Sequence, residues 1–153
     1  MMTHQEVEMI LSQVLKKESA PYDLPTADDW KFLRHKFGTD FPNEFISFIE
    51  LMSTYAFPGE ILNVARTGNT NGNDQIASAF DSEMQNGKWN PNLVPFYAIG
   101  NGDYFCLSSK EGRNSPVYYY YHEDAHHERF AMNFDSWLNG LKAFLAGQNS
   151  KNS

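Results

Sequence analysis

Between Leu93 and Met132 lie four short runs of aromatic and β-branched residues, and directly after them the spacing of apolar residues changes from two to three and four. Such a stretch commits a chain to antiparallel strands closed by a helix, because β-branched and ring side chains suit a pleated surface and the later spacing suits a helical one. The first run, Leu93 to Ile99, reverses through Gly100, Asn101 and Gly102, which supply the positive-φ positions of a hairpin, into Asp103 to Ser109. Pro116 to His122 follows a polar loop, and Arg129 to Met132 is a shorter fourth run. Phe134, Trp137, Leu138, Leu141, Phe144 and Leu145 then share one helical face behind Asn133, a suitable N-cap, so the last helix is expected to lie on the sheet.

Upstream the pattern is helical. Thr3 and Glu6 match a capping box ahead of Val7, Ile10, Leu11, Val14 and Leu15, which predicts a first helix reaching Lys17 before Pro21 and Pro25. Thr26 and Asp29 can cap a second helix bearing Trp30, Leu33 and Phe37 and stopping at Gly38. Pro42 opens a third, whose stripe of Phe45, Phe48, Ile49 and Met52 reads as core rather than as a binding groove. Glu60 to Arg66 is a candidate first strand, and a helix over Asp74 to Gln85 points Ile76, Phe80 and Met84 inward before Gly87. The expectation is an α+β domain with a mainly antiparallel sheet of about five or six strands, packed by N-terminal, middle and C-terminal helices. It spans 1–147 as a single domain, with 148–153 as a disordered tail.

A length of 153 residues suffices for one proper core. The net charge of −7 argues against direct binding to a nucleic-acid backbone and suits a soluble protein or the partner of a basic one. Cys106 is the sole cysteine, which excludes an internal disulfide scaffold. Glu6 and Glu8 interrupt any signal-peptide core, and no apolar run reaches membrane-spanning length, so a cytoplasmic protein is expected.

The string His122-Glu123-Asp124-Ala125-His126 spells H-E-x-x-H, which binds zinc when both histidines stand one turn apart on a helix. Here a strand precedes His122 and a polar turn follows it, so the imidazoles are expected to diverge, and no third ligand stands at a suitable distance. Cys106 alternates within a strand without a paired histidine, and Gly100, Asn101 and Gly102 lack the helix that a phosphate loop requires. Asn69, Asn71 and Asn73 resemble half a calcium loop without its closing glutamate, and read as a turn. Neither catalytic residue, metal nor cofactor is expected.

What remains is surface. In the run Pro116 to His122, Val117, Tyr119 and Tyr121 share one face and Tyr118, Tyr120 and His122 the other. With Val117 on the core face, Tyr118 and Tyr120 stand beside Tyr104, with Asp103, Glu123 and Asp124 at the strand ends. Those six residues are either a partner-binding surface, since tyrosine offers large contact area at low entropy cost, or part of a second core beneath helices on that face.

The order LVPFYAIGNGDYFCLSS, PVYYYYHE and NFDSWLNGL, with FGTDFPNEFISFIELM upstream, resembles the SUKH superfamily of bacterial immunity proteins, nearest to its YobK type. The resemblance runs from about Trp30 to Leu145, and its specificity lies in the order of the motifs. It implies a non-enzymatic protein that binds and neutralises a cognate polymorphic toxin, with a basic nuclease domain as the partner expected from the charge. The alternatives are a zinc hydrolase built on H-E-x-x-H and a regulatory protein-binding scaffold. Zinc returned to chelator-stripped protein is expected to bind without tight stoichiometry and to leave the melting temperature unchanged. Nanomolar affinity that disappears in His122→Ala would establish the hydrolase reading instead.

Overall fold

The computed structural model describes residues 2–18, 22–66 and 75–152, with 148–152 described by their backbone alone. The Asn69, Asn71 and Asn73 turn therefore lies outside the described residues. Helix α1 covers His4–Ser12, and the expected capping box is formed: Glu6 N–H donates to Thr3 Oγ1 and Thr3 N–H to Glu6 Oε1, both at 3.2 Å. It stops short of the expected Lys17 because strand β1, Lys16–Lys17, turns away to pair antiparallel with β2, Tyr55–Ala56. Between them come α2, Ala27–Phe37, and α3, Asn43–Leu51. Thr26 and Asp29 cap α2 reciprocally, and Gly38 ends it at φ 64°, the left-handed conformation that glycine adopts without strain.

The main sheet is a meander in the order β3-β4-β5-β6-β7, with every neighbour antiparallel. Its strands are β3, Glu60–Ile61; β4, Leu93–Ala98; β5, Tyr104–Ser108; β6, Val117–Tyr121; and β7, His126–Ala131. β3 is much shorter than the expected run to Arg66. Asn63 instead makes an isolated parallel bridge to Gln75, at the start of helix α4, Ile76–Gln85. Met84, expected inward on α4, is exposed. The closing helix is two: α5, Phe134–Asn139, and α6, Leu141–Asn152, separated at Gly140. Glycine is the poorest helix former apart from proline, yet the apolar stripe crosses the break, since Phe134, Trp137, Leu138, Leu141 and Leu145 are all buried. Asn133 caps α5 as expected, accepting from Ser136 N–H at 2.8 Å.

Two bulges adjust the alternation of the sheet. Pro95 has no N–H for the ladder, and the register slips between it and Tyr97, so that the consecutive residues Phe96 and Tyr97 both join the helix-side core. Likewise Val117 pairs with Ala131 while Tyr118 pairs with Arg129, which leaves Phe130 as the extra residue of β7. On the helix side, rings from α3, the sheet and α5 meet at Trp137. Its ring centroid lies 5.2 Å from those of Phe96 and Phe134 and 5.6 Å from those of Phe48 and Phe105. On the other side a smaller cluster joins Trp89, Leu93, Cys106 and Tyr120, with Phe80 of α4 packed against it.

Trp137 thus ties α3 and α5 to β4 and β5 through edge-to-face and tilted contacts, which add to the burial of its own large surface. Trp137→Ala is expected to destabilise the domain by about 3–5 kcal/mol, read as a lowered midpoint in a urea titration. A midpoint equal to that of the wild type would mean that α5 does not dock through this ring.

Candidate partner-binding surface

Strand period decides which tyrosines face which way. β5 and β6 pair Tyr104 with Tyr120 and Cys106 with Tyr118, so these side chains point away from α1, α3 and α5. Trp89, just past the end of α4, roofs them: its indole N–H donates to Leu93 O at 3.0 Å, and its ring lies 4.4 Å from that of Tyr120 and 5.4 Å from that of Tyr104. Tyr120 is consequently only 5% exposed. Of the two alternatives for this face, Tyr120 belongs to the second core, because a helix and a tryptophan cover that half of the sheet. Tyr104 is half-buried, and its hydroxyl donates to Glu83 Oε2 at 2.9 Å. Burial, reinforced by Glu83, pushes the Tyr104 pKa well up, so the phenol stays protonated. Burial, with the Glu83 charge nearby, likewise pushes the Cys106 thiol well above its ordinary value, which suits packing and not nucleophilic attack.

Tyr118 differs from its neighbours. It is half-buried, its hydroxyl donates to Glu111 Oε2 at 2.7 Å, and its ring meets that of His127 edge-on at 5.5 Å. These three residues, with Asn90, Asn92 and Lys110, line an open depression of about 340 Å³ at this end of the tyrosine face. Tyr118 is therefore the member of the tyrosine set that other molecules can reach with least rearrangement.

Asp103 also turns out to be structural. It is 8% exposed and accepts from His122 N–H at 2.9 Å and from Tyr119 Oη at 2.8 Å, while His122 Nδ1 lies 2.6 Å from its Oδ1. Its own N–H donates to Asn101 Oδ1 at 2.9 Å. Burial pushes the Asp103 pKa up, but the hydrogen bonds from His122 and Tyr119 outweigh it and hold the carboxyl below its ordinary range. One carboxylate thus fastens the β4–β5 turn to the end of β6. Asp103 stands at the strand end, as expected, and a carboxylate with this many donors is committed to the fold.

Glu123 and Asp124 are exposed at the tip of the β6–β7 hairpin, as expected. Ala125, next to them, has φ 60°, an uncommon conformation for a residue with a Cβ. The H-E-x-x-H string therefore spans a hairpin turn and not a helix: His122 leaves β6 toward Asp103, whereas His126 opens β7, hydrogen-bonded through Nδ1 to Asp124 Oδ1 and stacked on Tyr121 at 4.6 Å. Among the described residues no group of three or more histidine, cysteine, aspartate or glutamate side chains is arranged to hold a metal ion. Of the six residues expected to bind a partner, Glu123 and Asp124 are exposed, Tyr104 and Tyr118 are half-buried against the second core, Tyr120 is a member of that core, and Asp103 is buried at the β4–β5 turn. Trp89, which divides the set, is missing from the sequence reading. A tryptophan two residues beyond the helix-stopping Gly87 and four before a strand was the available signal.

The SUKH_5 family model, described as SMI1-KNR4 cell-wall, matches residues 6–142. The chain belongs to this SUKH family, and the match does not distinguish the YobK type within it. A solved structure described as a protein from Pseudomonas syringae pv. tomato is similar at 16% identity and a TM-score of 0.48, covering 74% of this chain and 81% of that one. No curated protein matches. No helix among the described residues is long and apolar enough to cross a membrane.

Two titrations follow from this geometry. The folded pKa of Asp103 is depressed, so its contribution is present above the unfolded value near 3.8 and is lost as the pH falls through the lower folded value. Asp103→Asn is expected to destabilise at neutral pH by about 1–3 kcal/mol and to flatten the acid limb of stability against pH. The hydrogen bond that His126 donates to Asp124 is the main cause that raises its pKa, with Glu128 adding to it. Its contribution is complete below the ordinary 6.5 and is lost as the pH rises through the folded value above that. His126→Ala should remove this alkaline-side loss. Unchanged pH profiles in chemical denaturation would contradict both assignments.

Proposed function

We propose that the protein is an immunity protein, which binds and neutralises a cognate polymorphic toxin in the cytoplasm of the producing bacterium and catalyses no reaction of its own. Membership of the SUKH family over residues 6–142 is the observation that carries this reading. The charge supports a basic partner. A net charge of −7 and the exposed pair Glu123 and Asp124 beside the accessible Tyr118 suit the positively charged groove of a nuclease domain, which an acidic surface blocks by taking the place of nucleic acid.

In this reading Tyr118 supplies an amphipathic anchor and the hairpin tip supplies steering, while Asp103, Tyr104 and Tyr120 hold those groups in place from beneath. A zinc hydrolase gains nothing from the geometry, because each histidine of the string hydrogen-bonds a different carboxylate on its own side of a turn.

Co-expression with a toxin domain encoded beside it is expected to restore growth, and the two chains should co-purify. Glu123→Gln with Asp124→Asn should slow association several-fold at low salt and leave dissociation nearly unchanged. Tyr118→Ala should speed dissociation, weakening binding by about 2 kcal/mol if its ring is an anchor. A melt of each variant separates lost contact from lost folding. A wild-type chain that neither binds nor protects against the adjacent toxin overturns the proposal.

A further inference from the structure

β7 is an edge strand. No strand pairs with its outer side among the described residues, and His126 to Phe130 are all exposed. Exposed edges are usually blunted by charged residues, proline, a bulge or a covering loop, because their free N–H and C=O groups invite another strand. β7 carries the Glu128–Arg129 pair and one bulge, but neither lysine nor proline. It presents instead Phe130, 50% exposed at its bulge and packed 4.7 Å from Phe105, and just beyond its end Met132, 68% exposed. A second copy is a poor occupant: two-fold pairing centred on the middle of β7 places Glu128 against Glu128 or Arg129 against Arg129.

The chain beyond β7 leads directly into a cavity of about 320 Å³, lined by Met132 and Asp135, by Glu44 in the first turn of α3 and by Arg113. Glu44 is 7% exposed. Burial pushes its carboxyl pKa up, and the neighbouring Asp135 carboxyl pushes it further. Among the described residues no lysine or arginine pairs with either acid, and the Arg113 guanidinium is committed to Asp40 at 2.7 Å. Glu44 and Asp135 also share a hydrogen bond, which places a proton between the two carboxyls, and an entering ammonium or guanidinium would displace that proton and stand between them.

Building on the partner-binding reading above, we propose that the free edge of β7 takes up an extended segment of a protein partner as an added strand, whose apolar side chain covers Phe130 and Met132 and whose lysine or arginine enters the Glu44–Asp135 cavity. Main-chain hydrogen bonds to the edge would give affinity, and the cavity would give the preference for a basic residue. The acidic balance of the whole chain favours the same partner.

The test uses the full chain, labelled with ¹⁵N, and a capped peptide of about eight residues that alternates threonine and valine and carries one lysine near its end, with a glutamate counterpart as control. The lysine peptide is expected to shift and protect the β7 amides and to perturb Glu44 and Asp135, with the counterpart binding at least roughly tenfold more weakly. Glu44→Gln, a neutral isostere of the same shape, and Met132→Lys, at an exposed position, should each weaken the lysine peptide roughly tenfold without moving the melting temperature. Absent or misplaced shifts, or equal binding of the two peptides, overturn the inference. In the presence of the neighbouring toxin domain, full affinity of Met132→Lys with unprotected β7 amides sinks the edge while leaving the immunity reading intact. Peptide capture at β7 by a chain that binds no toxin does the reverse.

Discussion

The alternation of β5 and β6 governs the rest of the molecule. Phe105, Leu107, Val117 and Tyr119 go to one face, and Tyr104, Cys106, Tyr118 and Tyr120 to the other, so neither side of these central strands is polar enough to be left in water. One face receives α1, α3 and α5 around Trp137. The other receives α4 and Trp89. A chain with only the helices on the Trp137 side would expose the Tyr104–Tyr120 pair and Cys106, a contiguous apolar patch of the kind that soluble domains rarely display. The segment between β3 and β4 therefore supplies a covering layer for the face that the terminal helices cannot reach.

The same period leaves the sheet dependent on polar fastenings at its ends. The β4–β5 hairpin reverses through Gly100 and Gly102, both with positive φ, and polar contacts pin that turn. Asp103 does so electrostatically, by collecting donors from β6 and the residue after it. An isolated buried carboxylate would be costly, whereas one surrounded by donors stabilises the geometry that brings them together. This explains why an aspartate next to a glycine-rich turn belongs to the scaffold rather than to the recognition surface.

Much of this was legible in the residues. Both N-terminal capping boxes, the Asn133 cap, the hairpin at Gly100 to Gly102 and the face choice of Val117 each depend on local chemistry, which a sequence displays directly. What escaped depended on distant partners. α1 ends early because Lys16 and Lys17 pair with Ala56 and Tyr55, which are distant in sequence, and no local signal marks that ladder. The bulge at Phe130 has no proline to announce it, unlike the one after Pro95. The six candidate surface residues divided for a related reason: alternation states which tyrosines share a face, but only the position of Trp89 states how much of that face is covered.

Because the central strands are covered on both faces, the proposed recognition falls to the rim of the sheet. A module of this form has a hairpin tip, a free edge and the depressions where helices meet strand ends, and these carry its least committed side chains: Glu123 and Asp124 at the tip, Phe130 and Met132 along the edge, Tyr118 above its depression. Substitutions there touch few core contacts, so this rim can change while Trp137, Asp103 and Trp89 keep the scaffold fixed. For the proposed partner-binding role this separation lets affinity be adjusted on the rim without disturbing the packing that stabilises the domain.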